Sequence, residues 1–346
     1  SVALILDTLT RYYEPPTLIE ATRAAPVLSY MDVSLWQAEQ PASAQQSQQL
    51  KDWADQLAGI PPRLSLPFDR PPTEYRRDNG ARMKVSLPKD LADRCRQVAG
   101  RYDTTLYTVL LSGLAVCLGR VADEADVVIG TAFSGRTDPG TEDVVGCFVN
   151  TLPIRCDLTG APNTALVINR LKERLLWALQ RQSTPFEQIV EAVDPPRSLA
   201  HTPIYQVIFA MQDQSVERFS LAGCTITALD QAQLAAKYDL ALSLAETEHG
   251  SIEGHLDFPT DLFNPDTIDQ LARDFAACLN RMSHNPEIAL IEVTDPVPRR
   301  SAQAVLRDHD QVASVLVTTV TDSAGATRRV AFVQPQSDTP HLNAKL

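Results

Sequence analysis

The sequence predicts a mixed α/β fold, a mixed sheet with covering helices, and three observations carry the prediction. Stretches that alternate with a period of two, such as Met83–Leu87, are interleaved with stretches whose apolar residues recur at three and four, such as Thr267–Met282. Tyr238–Ala245 and Ile252–Phe258 both alternate and flank the turn Glu248-His-Gly250, the pattern of an antiparallel hairpin. Asp126–Ala132 and Ile204–Met211 are largely apolar, as strands buried on both faces are.

Taken in order, Val2, Ile5, Leu6, Leu9 and Tyr13 share one face of a helix spanning 1–14, with Ser1 suited to cap it. Pro15-Pro16 ends that helix. Residues 15–72 read as a connector, rich in Gln, Ala and Ser through Gln49, with a short amphipathic helix over Leu50–Leu57. The connector continues through Gly59-Ile-Pro-Pro62 and Leu66-Pro-Phe-Asp-Arg-Pro-Pro72, which suits chain that wraps a surface and stays out of the core. The unit 73–295 then opens with the strand Met83–Leu87 and the helices Asp90–Gly100 and Thr104–Gly119. The second of these is nearly all apolar and therefore buried. The strand Asp126–Ala132, the helix Ala165–Gln182, the strand Ile204–Met211, the hairpin and the helix Thr267–Met282 complete the unit. Asp295-Pro-Val-Pro298 marks its end. In 301–346 a short helix (Ser301–Asp308), a strand (Ala313–Thr321), a turn (Asp322-Ser-Ala-Gly325) and a strand (Arg328–Gln334) bury too little surface to stand alone.

Composition narrows the function classes. The 346 residues are 44% apolar, and no apolar run reaches the roughly 18 residues needed to span a bilayer, so a membrane role is not expected. A net charge of −12 argues against nucleic acid. Six cysteines without a C-x-x-C pair suit reduced thiols in a cytoplasm. The charge is uneven: Arg63–Arg101 holds ten Lys/Arg and five Asp/Glu, whereas Asp230–Asp274 holds ten Asp/Glu and two Lys/Arg.

Gly130-Thr-Ala-Phe-Ser-Gly135-Arg-Thr137 follows a strand as a phosphate-binding loop would, but Arg136 stands where lysine is needed. Asp138-Pro139-Gly140 replaces the helix start that would aim amides at phosphate. There is no G-x-S-x-G, H-E-x-x-H or G-x-G-x-x-G. The six histidines are isolated from one another and from cysteine at ligand spacing, so no metal site is expected. His201 and His255 could titrate near neutrality, and the alternative for each is a lone surface histidine. No stretch offers a complete acid/base or nucleophilic constellation.

Several stretches do resemble a known family, in its order. Ser29-Tyr-Met-Asp-Val-Ser-Leu-Trp36 resembles Tyr-x-Asp-(Tyr/Phe)-Ala-x-Trp through Asp32 and Trp36, with Ser34 in place of Ala. Val144-Val-Gly-Cys-Phe-Val-Asn-Thr-Leu-Pro-Ile-Arg155 resembles (Ile/Val)-Gly-x-Phe-Val-Asn-Thr-x-x-x-Arg, with Gly146, Phe148, Asn150, Thr151 and Arg155 matching. Thr184-Pro-Phe-Glu-Gln-Ile-Val190 is similar to a Pro-Phe-Glu-x-(Leu/Ile)-Val helix start at Pro185 and Phe186. Arg197-Ser-Leu-Ala-His-Thr-Pro-Ile204 resembles Arg-Asp-x-Ser-x-x-Pro-Leu, departing at Ser198 and Ala200. Tyr238-Asp-Leu240 and Asp261-Leu-Phe263 match the last two strands and their exit. These are motifs of nonribosomal peptide synthetase condensation domains, and the resemblance covers Ser1 to about Val293.

The resemblance implies a chloramphenicol-acetyltransferase-like fold of two lobes with a tunnel between them, the N-terminal lobe largely missing from this chain, with 1–14 its terminal helix and 73–295 the C-terminal lobe. Ser1 would end the family's His-His-x-x-x-Asp-Gly-(Trp)-Ser motif, so the catalytic histidine is expected before Ser1 and no catalytic residue within the chain. An upstream carrier domain would deliver an acyl or peptidyl thioester and a downstream one an aminoacyl thioester, both on phosphopantetheine arms. Tethering makes their reaction effectively unimolecular. Asn150 would hold the lobes and channel floor, or only satisfy buried backbone groups. Arg155 and Arg197 would pair with buried carboxylates, the Asp of the missing motif among the candidates. Arg76, Arg77 and Arg82 would dock an acidic carrier, the alternative being solvated charges. The tail, Ala304–Val317 with Arg328–Val333, resembles the small C-terminal subdomain of an adenylation domain, although Lys345 does not match its catalytic lysine and the adenylating core is absent. Two further readings stay open: a non-catalytic carrier-docking module, and a coenzyme A acyltransferase of the same fold. Epimerisation and heterocyclisation relatives share that fold.

Overall fold

The structure is a computed structural model that describes residues 2–13, 28–39, 44–73, 75, 79–161, 163–212, 221, 223–224, 234–290, 312–321 and 327–335. It divides into two units, Ser1–Thr294 and Asp295–Leu346. In the first lie α1 (Val2–Tyr13), α2 (Tyr30–Glu39), α3 (Ala44–Gln56), β1 (Asn79–Leu87), α4 (Lys89–Arg101), α5 (Leu106–Ala122), β2 (Asp126–Phe133) and β3 (Asn150–Asp157). They are followed by α6 (Thr164–Leu179), α7 (Phe186–Val193), β4 (Val207–Gln212), β5 (Leu234–Ala235), β6 (Leu240–Glu246), β7 (Ile252–Pro259) and α8 (Pro265–His284).

The seven strands form one mixed sheet in the order β3-β2-β4-β6-β7-β1-β5. β2–β4 and β4–β6 are parallel, and the other pairs are antiparallel. Alternation in β2 defines the two sides. Thr131 accepts a hydrogen bond from Tyr107 of α5 at 3.2 Å on one side, while Gly130 lies under the ring of Tyr205 on the other. Helices α4, α5, α6 and α8 pack together on the α5 side, where Leu110, Leu111, Leu118 and Leu279 are fully buried. Burying each such side chain stabilises by about 1.5–3 kcal/mol. Helices α3 and α7 pack on each other on the Tyr205 side. Thr105 starts α5 by accepting the N–H of Thr108, and Asn163 starts α6 by accepting that of Leu166.

Several boundaries differ from expectation. Helix α3 begins at Ala44, and α2 falls in what reads as connector. The connector also enters the core, since Trp53, Leu57, Leu64 and Leu66 are buried and Trp53 meets Trp177 edge-on with centroids 4.6 Å apart. Polar flanks masked this contribution, because only one face of α3 is apolar. Strand β4 starts at Val207 because Ile204 adopts a turn with φ +66°. Four cysteines are buried as expected of core thiols, whereas Cys147 and Cys224 are exposed. On α1 the expected apolar face forms, yet Val2, Ile5, Leu9 and Tyr13 remain about half exposed. Ser1 as a cap lies outside the described residues.

The second unit contains the antiparallel hairpin of β8 (Val312–Thr321) and β9 (Thr327–Pro335), paired from Val312↔Pro335 to Thr321↔Thr327. The expected helix Ser301–Asp308 and turn Asp322–Gly325 lie outside the described residues. No single described helix is long and apolar enough to cross a membrane.

Candidate functional site

The loop between β2 and β3 folds into a platform built on two backbone requirements. Gly135 has φ +65°, and a Cβ there would lie 1.7 Å from the carbonyl oxygen of Phe148, so only glycine lets the two arms of the loop meet. Gly146 lies flat under the ring of Tyr30, where a Cβ would come within 2.1 Å. Tyr30 also donates its hydroxyl to the carbonyl of Cys147 at 2.9 Å and meets Phe148 edge-on at 5.2 Å. Helix α2 is thereby seated on the loop.

Alternation runs through the motif. Gly146 and Phe148 face the platform, while Val145 and Val149 are 50% and 61% exposed and Cys147 is exposed between them. Arg136 braces the inner side: its guanidinium lies 4.3 Å from the centre of the Phe148 ring and donates to the carbonyls of Val144, at 2.9 Å, and Thr141. In the sequence this arginine only spoils a phosphate-loop pattern.

Asn150 performs the backbone role. Its Nδ2 donates to the carbonyls of Gln182 and Thr184 at 2.9 and 2.7 Å, and its Oδ1 accepts the N–H of Phe186 at 3.2 Å. It thus closes the α6–α7 turn and starts α7 just after Pro185, the N-cap position. Phe186 packs on Tyr205 with centroids 5.1 Å apart, and Tyr205 stacks on Tyr238. Thr151, half-buried on β3, hydrogen-bonds Tyr205; burial drives that phenol far above its ordinary range.

Arg155 pairs within the chain. It forks onto Asp126 with Nη2–Oδ2 2.6 Å and Nε–Oδ1 3.0 Å, and its Nη1 donates to the carbonyls of Gln56 and Ala58, both at 3.0 Å. Arg197 is exposed and has no ion pair with another described residue. Asp32 is a cap: it accepts from the N–H and hydroxyl of Ser29 at 2.8 and 2.7 Å, while Ser29 accepts the N–H of Asp32. The Ser29 hydrogen bonds hold its carboxyl below the usual range. Trp36, further along α2, is 47% exposed.

The basic stretch and the acidic stretch meet each other. Because β1 pairs with β7, Arg82 reaches Asp257 at 2.7 Å and Lys84 reaches Glu253 at 3.3 Å. Arg96 reaches Glu246 at 2.6 Å, and Arg63 reaches the fully buried Asp239 at 2.8 Å. The expected basic face is largely neutralised by these pairs, Arg82 included; Arg76 and Arg77 lie outside the described residues. His255 shares the β7 face with Asp257, 3.7 Å away.

Among the described residues no group of His, Cys, Asp and Glu could hold a metal ion. His201 meets the carbonyl of its neighbour Thr202 at 3.0 Å, and Tyr107 spends its hydroxyl on Thr131 and the carbonyl of Phe209. The assembled site holds a surface in place and carries no paired nucleophile and base among these groups.

The mixed sheet, with helices on both sides and a motif-bearing loop at one end, defines a chloramphenicol-acetyltransferase-like fold. The chain belongs to the condensation-domain family of nonribosomal peptide synthetases: the family model "Condensation domain" matches residues 1–304. Malpinin synthetase of Mortierella alpina is 36% identical over 288 residues, covering 83% of this chain and 4% of the relative. Isonitrile lipopeptide synthase of Mycobacterium tuberculosis is 33% identical over 312 residues, 86% of this chain and 12% of the relative. The chain therefore spans a small fraction of these relatives' length. Among solved structures, the X-domain from teicoplanin biosynthesis superposes with a TM-score of 0.74 at 25% identity, over 85% of this chain and 68% of that one.

Proposed function

We propose that this chain forms the C-terminal lobe of a peptide synthetase condensation domain, where a carrier-bound acyl or peptidyl thioester meets a carrier-bound aminoacyl thioester. The amine of the acceptor attacks the donor carbonyl, a C–N bond forms, the C–S bond breaks, and the donor carrier's pantetheine thiol is released with the proton lost by the amine. The observation that carries this reading is the family match over residues 1–304, within which Gly146, Phe148, Asn150 and Arg155 are each engaged in holding one fold element against another. Their task is to position, so that two tethered arms meet in a fixed geometry.

The phosphopantetheine arms belong to partner carriers, and the other partners of this reading are the adenylation domain and the upstream and downstream carrier domains. The hairpin β8–β9 is read as a remnant of an adenylation C-terminal subdomain. A cytoplasmic setting accords with unpaired thiols. Docking through Arg82 is the weaker alternative, since a carrier would have to compete with Asp257.

The sequence contains no His-His-x-x-x-Asp-Gly stretch, so the chain alone is expected to be inactive. Amide formation is measured with loaded donor and acceptor carriers, using the chain alone and fused behind a condensation N-terminal lobe bearing that motif. Turnover only in the fusion supports the reading. Full turnover by the chain alone overturns the inactivity, and no turnover by a folded fusion overturns the condensation role.

A further inference from the structure

A cleft of about 360 Å³ opens between the C-terminal ends of α3 and α7, away from the β2–β3 platform. Its size falls in the range of small-ligand sites, roughly 300–1,000 Å³. Two proline pairs contribute to its walls, Pro61-Pro62 and Pro195-Pro196. Their rings fix φ and they present no N–H, so these four residues make stiff, apolar stretches of wall that offer an anion no backbone donor.

Each wall is tied to the body by a residue described above. Arg155 holds the carbonyls of Gln56 and Ala58 at 3.0 Å, and Gln206 accepts the N–H of Leu64 at 2.9 Å and donates to the carbonyl of Pro62 at 3.4 Å. Asn150 fixes the start of α7, whose other end forms the second wall.

Ile204 also lines the cleft, and its backbone is strained. It is β-branched, 3% exposed and held at φ +66°, and the N–H of Tyr205 reaches back to the carbonyl of Pro203 at 2.7 Å. That is the uncommon hand of γ-turn. The Thr202 hydroxyl bonds the Tyr205 carbonyl, and Gln206 bonds the Thr202 carbonyl at 3.1 Å, so the surroundings enforce the conformation. Enforced strain of this kind gathers at ligand clamps.

Among the described residues Asp194 is the one charged residue lining the cleft, and it is exposed. It caps the C-terminus of α7 at φ +46°, where the helix dipole adds to its negative charge. Among the described residues its carboxylate has no hydrogen-bond or ion-pair partner. An apolar slot with a free carboxylate at a negative helix end selects a cation that carries hydrocarbon. We propose that this cleft binds a small primary ammonium ion with a compact apolar group, Asp194 supplying the counter-charge and the proline pairs the walls.

The test uses the full ¹⁵N-labelled chain and three probes of similar shape, 2-phenylethylammonium, 2-phenylethanol and phenylacetate, titrated at one ionic strength and followed by amide shifts. The ammonium is expected to bind on the order of fivefold more tightly than the alcohol, the size of one partly exposed charge pair. Shifts should centre on Ala58, Ala192 and Asp194, and phenylacetate should leave them unmoved. Asp194→Asn should equalise ammonium and alcohol, and Ala58→Phe, at an exposed position, should block both while leaving the rest of the spectrum intact. Equal affinity for ammonium and alcohol in the wild type, an ammonium preference that survives Asp194→Asn, shifts centred elsewhere, or no binding of any probe overturns the proposal.

Discussion

The guanidinium of Arg155 on β3 grips the carboxylate of Asp126 on β2 and, with its remaining nitrogen, the carbonyls of Gln56 at the end of α3 and of Ala58 just beyond it. One side chain therefore joins the sheet edge to a helix that lies nearly a hundred residues earlier. The pair is about three-quarters buried, with side-chain exposures of 24% and 25%.

Removing the arginine strands both Asp126 and the α3 carbonyls. Arg155→Ala should cost about 2–3 kcal/mol, whereas Asp126→Asn, which leaves the α3 contacts in place, should cost about 1 kcal/mol. Urea denaturation with unchanged m-values checks the order; a larger loss in Asp126→Asn would show that the carboxylate, not the bridge to α3, matters.

Gly146 tolerates no side chain beneath Tyr30. Gly146→Ala should displace the ring and free α2, costing about 1–3 kcal/mol as overpacking does. Adding Tyr30→Ala removes the clash, so the double variant should be less destabilised than the two single losses summed. Amide exchange over residues 30–39 reads the detachment directly, and additive losses would contradict it.

His255 sits below its ordinary value near 6.5, first because burial disfavours the charged ring and further because Arg82 repels it, with Asp257 opposing both. The unfolded chain then binds the proton more readily. Stability from this site is fully present above pH 6.5 and is lost as pH falls towards and through the lowered folded value. In His255→Gln that part of the acid slope should vanish; an unchanged slope between pH 6.5 and 5 would remove His255 as its source.

Thiol accessibility divides the cysteines. Cys147 and Cys224 should react with a thiol reagent in the native protein, and Cys95, Cys117, Cys156 and Cys278 only after denaturation. Burial pushes the Cys95 thiol up to about 11, which slows it further. Mass spectrometry of the labelled native chain gives the sites, and rapid modification of Cys278 would contradict the packing of α5 against α8.

Much of the fold was legible because alternation and helical spacing are local. The β6–β7 hairpin and α8 follow from their own residues, and the run from Val144 to Arg155 carried the family resemblance. Helix α2 was missed for a physical reason: its apolar residues do not line up on one face, and it is seated by Tyr30 on a glycine over a hundred residues away. Its Ser29/Asp32 cap was the one local signal available. The charge segregation was visible, but its meaning was not, because Arg82 and Asp257 become neighbours only through the pairing of β1 with β7. Asp126 as the partner of Arg155 is hidden by the same distance.

That pairing also orders events in time. Residues 80–87 find their partners 165 to 179 residues later in the chain. During synthesis, β1 leaves the ribosome long before β7 exists, with its ladder and its arginine and lysine uncompensated. The parallel core of β2, β4 and β6 can assemble in the interval, and β1 can close onto β7 only once residues 252–259 have been made. Non-local pairing of this kind is slow and leaves an open edge meanwhile. A nascent chain stalled before residue 252 would thus display a strand looking for a mate, the stage at which a chaperone, or a second nascent copy, has its opportunity.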